Sequence, residues 1–105
     1  MLSKHTPGPW YCGTFRPVGN RPGIDIDAAD SANIALCHYE KTEMTATETK
    51  ANARLIASAP ELLAALQAIL NRYIDLAGSG DCGNWNPETE PQVIQARAAI
   101  AKATT

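Results

Sequence analysis

The stretch ANARLIASAPELLAALQAIL, residues 51–70, decides the fold of this chain. Beyond Pro60, large apolar side chains recur at three- and four-residue spacing, which places them along one side of a 3.6-residue helix. They are Leu62, Leu63, Leu66, Ile69, Leu70, Tyr73 and Leu76. The spacing predicts a helix over residues 59–77 whose apolar stripe faces the core.

Both ends of this helix carry their own signals. Ser58 and Glu61 have the spacing of a capping box, in which each side chain satisfies a backbone N–H of the first turn. Pro60 falls in the first turn, where its missing N–H breaks no helical bond. Gly78 follows the stripe, and we expect it to end the helix in a left-handed conformation.

A shorter helix precedes this one. Thr45 and Glu48 form another possible capping box, and Leu55 and Ile56 supply apolar side chains. A proline disfavours helical geometry at the residue before it, so we expect a bend at Pro60 between two helices. The sequence therefore predicts a two-helix unit over residues 45–77.

The N-terminal part predicts a small sheet. Residues 1–9 form an extended leader rich in proline and glycine, and residues 10–39 contain three segments of strand composition. The segments are 10–15, 24–28 and 34–39. Short turns between strands favour an antiparallel meander. The stretch from Arg16 to Gly23 holds two prolines and two glycines, which predicts a loop.

The C-terminal part predicts a loop over residues 78–88 and a last helix over residues 89–103, which starts with a Thr-x-x-Gln pattern. A chain of 105 residues makes one domain, so residues 1–105 are expected to form a single unit. The predicted fold class is α+β: a three-stranded antiparallel β-meander followed by two or three α-helices packed on one face.

Composition excludes several functions. The formal net charge is −2, so the chain lacks the basic field that attracts nucleic acid. No apolar run approaches the ~20 residues needed to cross a bilayer, and no signal peptide is visible. Three cysteines, Cys12, Cys37 and Cys82, fit no disulfide frame. We therefore expect a cytoplasmic protein with reduced thiols and no membrane partner.

Catalytic and metal-binding patterns are missing from the sequence. The only close pair of potential metal ligands is Cys37 and His38, which alternate to opposite faces of a strand. Nothing around the cysteines resembles a nucleophile motif. Asp25 and Asp27 have the spacing of a solvated strand face. We expect no catalytic residue, no metal, no cofactor and no enzymatic activity.

Two polar regions are candidate contact sites. Arg16, Asn20 and Arg21 lie in the predicted Arg16–Gly23 loop, where two guanidinium groups could hold an anion. Trp85 lies in a loop rich in glycine and asparagine, where it either returns to the core or marks a contact surface.

Two stretches together carry a resemblance. His5-Thr6-Pro7-Gly8-Pro9-Trp10 and the Ala51–Leu66 stretch resemble a group of small bacteriophage and prophage proteins, over the N-terminus through about Leu70. The resemblance implies an accessory protein in the cytoplasm of a bacterial host, and it brings no catalytic residues.

These observations favour a non-enzymatic protein-interaction module that binds a host factor or a defence component. Because the core is small, we expect a homo-oligomer, most simply a homodimer. The alternative is a binder of a small anionic ligand or nucleotide that uses the Arg16–Gly23 loop.

Overall fold

The computed structural model describes residues 5–14, 16–18, 21–30, 32–38, 46–79 and 86–104. The chain divides into two compact units, the first Thr6–Glu61 and the second His5 together with the residues from Leu62 onward. The element order is strands followed by helices, which confirms the predicted α+β class. The prediction of one domain over residues 1–105 stays a prediction.

The first unit is built on an antiparallel sheet. Its strands are β1 (Trp10–Cys12), β2 (Arg16–Val18), β3 (Arg21–Ala28) and β4 (Asn33–His38). β3 is central, with β4 along one edge and both β1 and β2 along the other. Alternating isoleucine and aspartate in β3 gives it one apolar and one polar face.

β1 and β2 act as one interrupted edge strand. Cys12 pairs with Ile26, whereas Arg16 pairs with Gly23. The edge therefore advances by four residues, from 12 to 16, while β3 advances by three, from 23 to 26. The predicted three-stranded antiparallel sheet is therefore confirmed, and the edge that was predicted as one strand over residues 10–15 carries two short strands, β1 and β2.

The Arg16–Gly23 segment was predicted wrongly as a loop. Pro17 pairs with Pro22, flanked by the pairs of Arg16 with Gly23 and of Val18 with Arg21. Proline cannot donate to a ladder, so it is tolerated on an edge strand, as at Pro17, and near the start of a strand, as at Pro22. Strand pairing thus overrides the local turn signals in the described residues of this segment.

Helix α1 (Ala46–Ala57) covers the apolar face of the sheet. Ile24, Ile26 and Ala53 are at most 2% exposed, and Ala57 completes their cluster. Alanine at both helical positions lets the helix backbone approach the strands closely. Trp10, Ile34, Ala35, Cys37 and Ile56 pack around this cluster.

A single residue, Ser58, separates helix α2 (Ala59–Gly78) from α1, which confirms the predicted break before Pro60. The predicted capping role of Ser58 is wrong. Its hydroxyl donates to the carbonyl oxygen of Arg54 at 2.8 Å, and its backbone N–H donates to the same oxygen at 3.0 Å. Ser58 therefore closes α1 rather than opening α2.

Gly78 is the last residue of α2, and its φ lies outside the left-handed region, contrary to the prediction. Ser79 closes the helix instead. Its hydroxyl and its N–H both donate to the carbonyl oxygen of Leu76, at 2.7 and 3.3 Å. A side-chain donor thus replaces the glycine turn that commonly ends a helix.

The second unit continues with a 3₁₀ turn (Pro87–Thr89) and helix α3 (Pro91–Thr104). The Asn86 side chain caps the turn by accepting from the Glu88 N–H at 3.0 Å. Arg97 of α3 binds the Glu88 carboxylate with two donors, at 2.8 and 2.6 Å. This bidentate ion pair holds the turn against the helix.

Within the described part of the chain, no single helix is long and apolar enough to cross a membrane. The bent pair α1 and α2 passes the same length and composition test only when the two are taken together.

Candidate functional site

The leader and the start of α2 meet in the first unit. A Cβ built on Gly8 would lie 2.7 Å from Cβ of Pro60 and 3.1 Å from its Cγ. Only a residue without a side chain fits this close to the proline ring. The Trp10 indole N–H donates to the carbonyl oxygen of Thr6 at 3.2 Å. The two stretches that carry the resemblance are therefore packed together.

A groove runs between β1 and α1. One pocket in it has a volume of about 600 Å³ and is lined by Cys12, Gly13, Thr14, Ile24, Lys50 and Arg54. A second, of about 380 Å³, shares Cys12 and Arg54 and continues past Trp10 and Ala57 to Glu61. The shared residues make the two pockets one continuous surface, which we call the β1–α1 groove.

Two cations stand on the helical side of this groove. Lys50 and Arg54 are one turn apart on α1, both exposed. Residues four apart on a helix are neighbours, so their charges lie on one side of α1. In the described residues neither side chain is ion-paired with a carboxylate. The first pocket thus combines the apolar side chain of Ile24 with the two positive charges of Lys50 and Arg54.

Cys12 and Cys37, the two cysteines in the described part of the chain, do not form a redox pair. Cys12 lies on β1 and Cys37 on β4, with β3 between them, and both are free. Two strand spacings separate them by ~9–10 Å, beyond the Cα separation that a disulfide spans. Burial, and secondarily the electrostatic interaction with Cys12 across β3, raises the pKa of Cys37 above its usual value. A raised pKa disfavours the thiolate, so Cys37 is a poor nucleophile.

Metal ligands are not gathered in the described part of the chain, where no three histidine, cysteine, aspartate or glutamate side chains could share an ion. Cys37 aligns with Ile24 on the α1 side of the sheet. His38 aligns with Gly23 and is exposed. The neighbouring thiol and imidazole thus alternate across the sheet.

Helix α2 carries an exposed apolar stripe in the second unit. Leu62, Ile69, Tyr73 and Leu76 are 52, 69, 38 and 42% exposed, and Leu66 is half-buried. The predicted inward-facing stripe is thus largely wrong, since Leu70 is its one buried member. These five residues, 62, 66, 69, 73 and 76, are called the α2 stripe below.

The neighbouring helix α3 explains which part of α2 is buried. Leu66, Ile69, Leu70 and Tyr73 line a pocket of about 240 Å³ together with Val93 and Ala96 of α3. Val93 is 3% exposed and Leu70 is 7% exposed. Leu70 is therefore covered beside α3, while Ile69 and Tyr73 of the α2 stripe line the same pocket and stay partly exposed.

The predicted contact residues are placed differently from the prediction. Arg16 and Arg21 are on strands β2 and β3, where they pair with Gly23 and Val18. The prediction that they lie on a loop is therefore wrong, whereas their predicted contact with an anion or a partner stays a prediction. Asn20 and Trp85 lie outside the described residues, so their predicted roles stay predictions.

Lys50 and Arg54 were missed as candidate site residues. Their four-residue spacing within the predicted helix marks two cations on one helical face. The sequence could have supplied that signal, but not the strand that faces them.

No curated protein and no solved structure is significantly similar to this chain. One protein family matches it over residues 1–105, described as Salmonella phage P22 protein Y8K6. The match includes the last helix, which the expected resemblance through Leu70 had left out. The chain therefore belongs to the family of Salmonella phage P22 protein Y8K6.

Proposed function

We propose that this phage protein is a non-enzymatic accessory protein that acts through protein contact, and that the α2 stripe binds a second copy of the chain. The observation that carries the proposal is the exposure of large apolar side chains along the centre of α2. A contiguous apolar surface of this kind marks interaction sites in proteins.

The spacing of the α2 stripe favours another helix as its occupant. Residues 62, 66, 69, 73 and 76 follow one another at intervals of four, three, four and three. This alternation is the heptad seam of paired helices, in which apolar side chains of one helix pack between those of the other. A second copy of α2 offers the same seam, so a two-fold dimer is self-complementary.

Small residues flank the α2 stripe. Ala65 and Ala68 are exposed beside it. Their short side chains allow a second helix to approach, since the distance between helix axes depends on the side chains at the contact. Arg72 lines a shallow pocket with Ile69 and Tyr73, where its aliphatic stem extends the apolar surface.

The exposed area supports a weak dimer. The exposed fractions of Leu62, Ile69, Tyr73 and Leu76 add up to about two whole side chains. Burying them contributes ~3–6 kcal/mol per chain, at ~1.5–3 kcal/mol for each side chain. Two chains together gain ~6–12 kcal/mol, from which several kcal/mol of association cost must be subtracted. We therefore expect a dissociation constant on the order of 10 μM.

The absence of turnover is part of the proposal and is supported by the environment of Cys37. Cys37 is partly buried, and burial raises its pKa above the usual thiol value. A raised pKa disfavours the thiolate, whereas an activated nucleophile requires an adjacent base or a lowered pKa.

Sedimentation velocity tests the proposal. The wild-type chain is expected to shift from monomer to dimer as its concentration rises to about 0.5 mM, well above a dissociation constant of ~10 μM. Ile69→Glu places a carboxylate at the centre of the seam and should leave a folded monomer, because Ile69 is 69% exposed. Circular dichroism checks that the variant is folded.

Ile94→Glu is the matched control, since Ile94 is 54% exposed and lies on α3 rather than on the α2 stripe. It should dimerise like the wild type. A wild-type chain that stays monomeric at about 0.5 mM would overturn the proposal, as would equal loss of dimer in both variants.

A further inference from the structure

Strand β1 has one paired edge and one open edge within the described residues. The Gly13 N–H donates to the carbonyl oxygen of Asp25 at 2.8 Å, so residue 13 faces β3. Backbone groups alternate in an antiparallel pair, which turns the N–H and C=O of Cys12 away from β3. Cys12, Gly13 and Thr14 are all exposed. An open edge of this kind can pair with another strand.

The β1–α1 groove lies beside this edge, and its lining shows that strand and helix are aligned. Lys50 shares one pocket with Gly13 and Thr14, and Glu61 shares the next with Trp10 and Tyr11. Moving from residue 50 on α1 to residue 61 in the first turn of α2 therefore corresponds to moving back along the strand from residue 14 to residue 10.

We propose that the β1–α1 groove binds an extended acidic segment of a partner protein, which adds as a strand to the open edge of β1 and directs its carboxylates to Lys50 and Arg54. Strand addition is an established mode of peptide recognition, in which backbone hydrogen bonds supply affinity and pockets for alternate side chains supply specificity.

The spacing of the two cations fits such a peptide. Lys50 and Arg54 are four residues apart, a rise of ~6 Å along α1. Alternate side chains of a strand are ~6.7 Å apart on the same side. A segment with acidic residues at positions one and three therefore presents two carboxylates at the spacing of the two cations.

The far end of the groove favours a peptide over a nucleic acid. Glu61 lines the second pocket together with Trp10 and Ala57. A continuous phosphate backbone would place negative charge against Glu61, whereas a peptide can place an apolar side chain against Trp10 and Ala57. The chain's formal charge of −2 also disfavours a polyanion.

This inference extends the proposed function to a second partner, and it uses the first unit instead of the α2 stripe. Peptide binding and self-association have separate readouts, so the failure of one leaves the other standing. The Ile69→Glu variant should bind the peptide as well as the wild type does.

Fluorescence anisotropy with a labelled peptide, acetyl-Thr-Val-Glu-Val-Glu-Val-amide, tests the proposal. Two control peptides replace both glutamates by glutamine or carry N-methyl groups at alternate backbone positions. The acidic peptide should bind at least about tenfold more tightly than either control, a difference of about 1.4 kcal/mol. Its binding should weaken as salt is raised, because screening acts on exposed charge pairs.

Arg54→Glu should weaken the acidic peptide by about tenfold or more, corresponding to about 1.4 kcal/mol. Lys102→Glu, an equal charge change at an exposed position of α3, should leave binding unchanged. The control peptides are measured with the wild-type chain, so they test the proposal even if one variant fails to fold.

Equal affinity for the glutamate and glutamine peptides would overturn the role of the two cations. Equal affinity for the N-methylated peptide would overturn strand addition. Displacement of the peptide by inorganic phosphate, with the total ionic strength held constant, would identify the groove as a small-anion site and overturn the peptide assignment.

Discussion

Replacing Gly8 by alanine places a methyl group against the ring of Pro60. The added Cβ would lie 2.7 Å from Cβ and 3.1 Å from Cγ of the proline. Unstrained carbon atoms sit ~3.5–4.0 Å apart, so the leader must move by about 1 Å. The proline belongs to the first turn of α2 and cannot rotate away, as a flexible side chain could.

The cost follows from overpacking at a constrained contact, which is ~1–3 kcal/mol. Alanine also reduces the entropy of the unfolded chain, which offsets ~0.4–1 kcal/mol of that cost. We therefore expect Gly8→Ala to lower the free energy of unfolding by about 0.5–2 kcal/mol, which corresponds to a fall of about 2–15 °C in Tm for a domain of this size.

Urea denaturation followed by circular dichroism measures this difference, with Gly78→Ala as the matched control. Gly78 is helical and has no atom within 4 Å of an added Cβ. Alanine there should be neutral or stabilise by up to ~1 kcal/mol. If Gly8→Ala were as stable as Gly78→Ala, the leader would not pack on Pro60 as described.

Two further predictions test the core and the thiols of the first unit. Ala53→Leu should lower the free energy of unfolding by ~1–3 kcal/mol, because Ala53 is 0% exposed between α1 and the sheet. Ala51→Leu, on the exposed side of α1, should change the free energy of unfolding by less than ~0.5 kcal/mol in the same urea titration. Cys37 should react with iodoacetamide more slowly than Cys12 at pH 8, as peptide mass spectrometry can show, since burial raises the pKa of Cys37 and lowers its thiolate fraction. Faster alkylation of Cys37 would contradict that environment.

The pKa of Cys37 also fixes the direction of one pH effect. The folded state holds the thiol proton of Cys37 more tightly than the unfolded state does. The protonated thiol therefore contributes its full stabilisation at pH values below the ordinary thiol pKa. This stabilisation is lost as the pH rises through the raised value. In Cys37→Ser, the free energy of unfolding should therefore fall less than in the wild type as the pH is raised into the alkaline range.

The helices were predictable because their signals are local. The apolar spacing beyond Pro60 predicts residues 59–77, and α2 is Ala59–Gly78. The same spacing does not say which neighbour covers the stripe. Val93 and Ala96 cover only one side of α2, so most of the predicted core stripe is exposed. That outcome depends on tertiary packing rather than on helix periodicity.

The strands were less predictable because pairing is not local. Alternating isoleucine and aspartate predicted β3, but Pro17 and Pro22 are typical of turns and led to the prediction of a loop where β2 lies. The β1–α1 groove joins residues 10–14 to residues 50–61, and the sequence does not reveal which of these face one another. Lys50 and Arg54 become a candidate site only once the edge of β1 lies beside them.

A disulfide trap tests the self-association through the α2 stripe most directly. Ile69 lies at the middle of the stripe, so in a two-fold pair of helices it faces its own counterpart whether the helices run parallel or antiparallel. In a background with Cys12, Cys37 and Cys82 changed to serine, Ile69→Cys should form a covalent dimer under mild oxidation. The control Ala103→Cys, exposed near the end of α3, should remain monomeric. If Ile69→Cys formed no more dimer than Ala103→Cys, self-association through the α2 stripe would be contradicted.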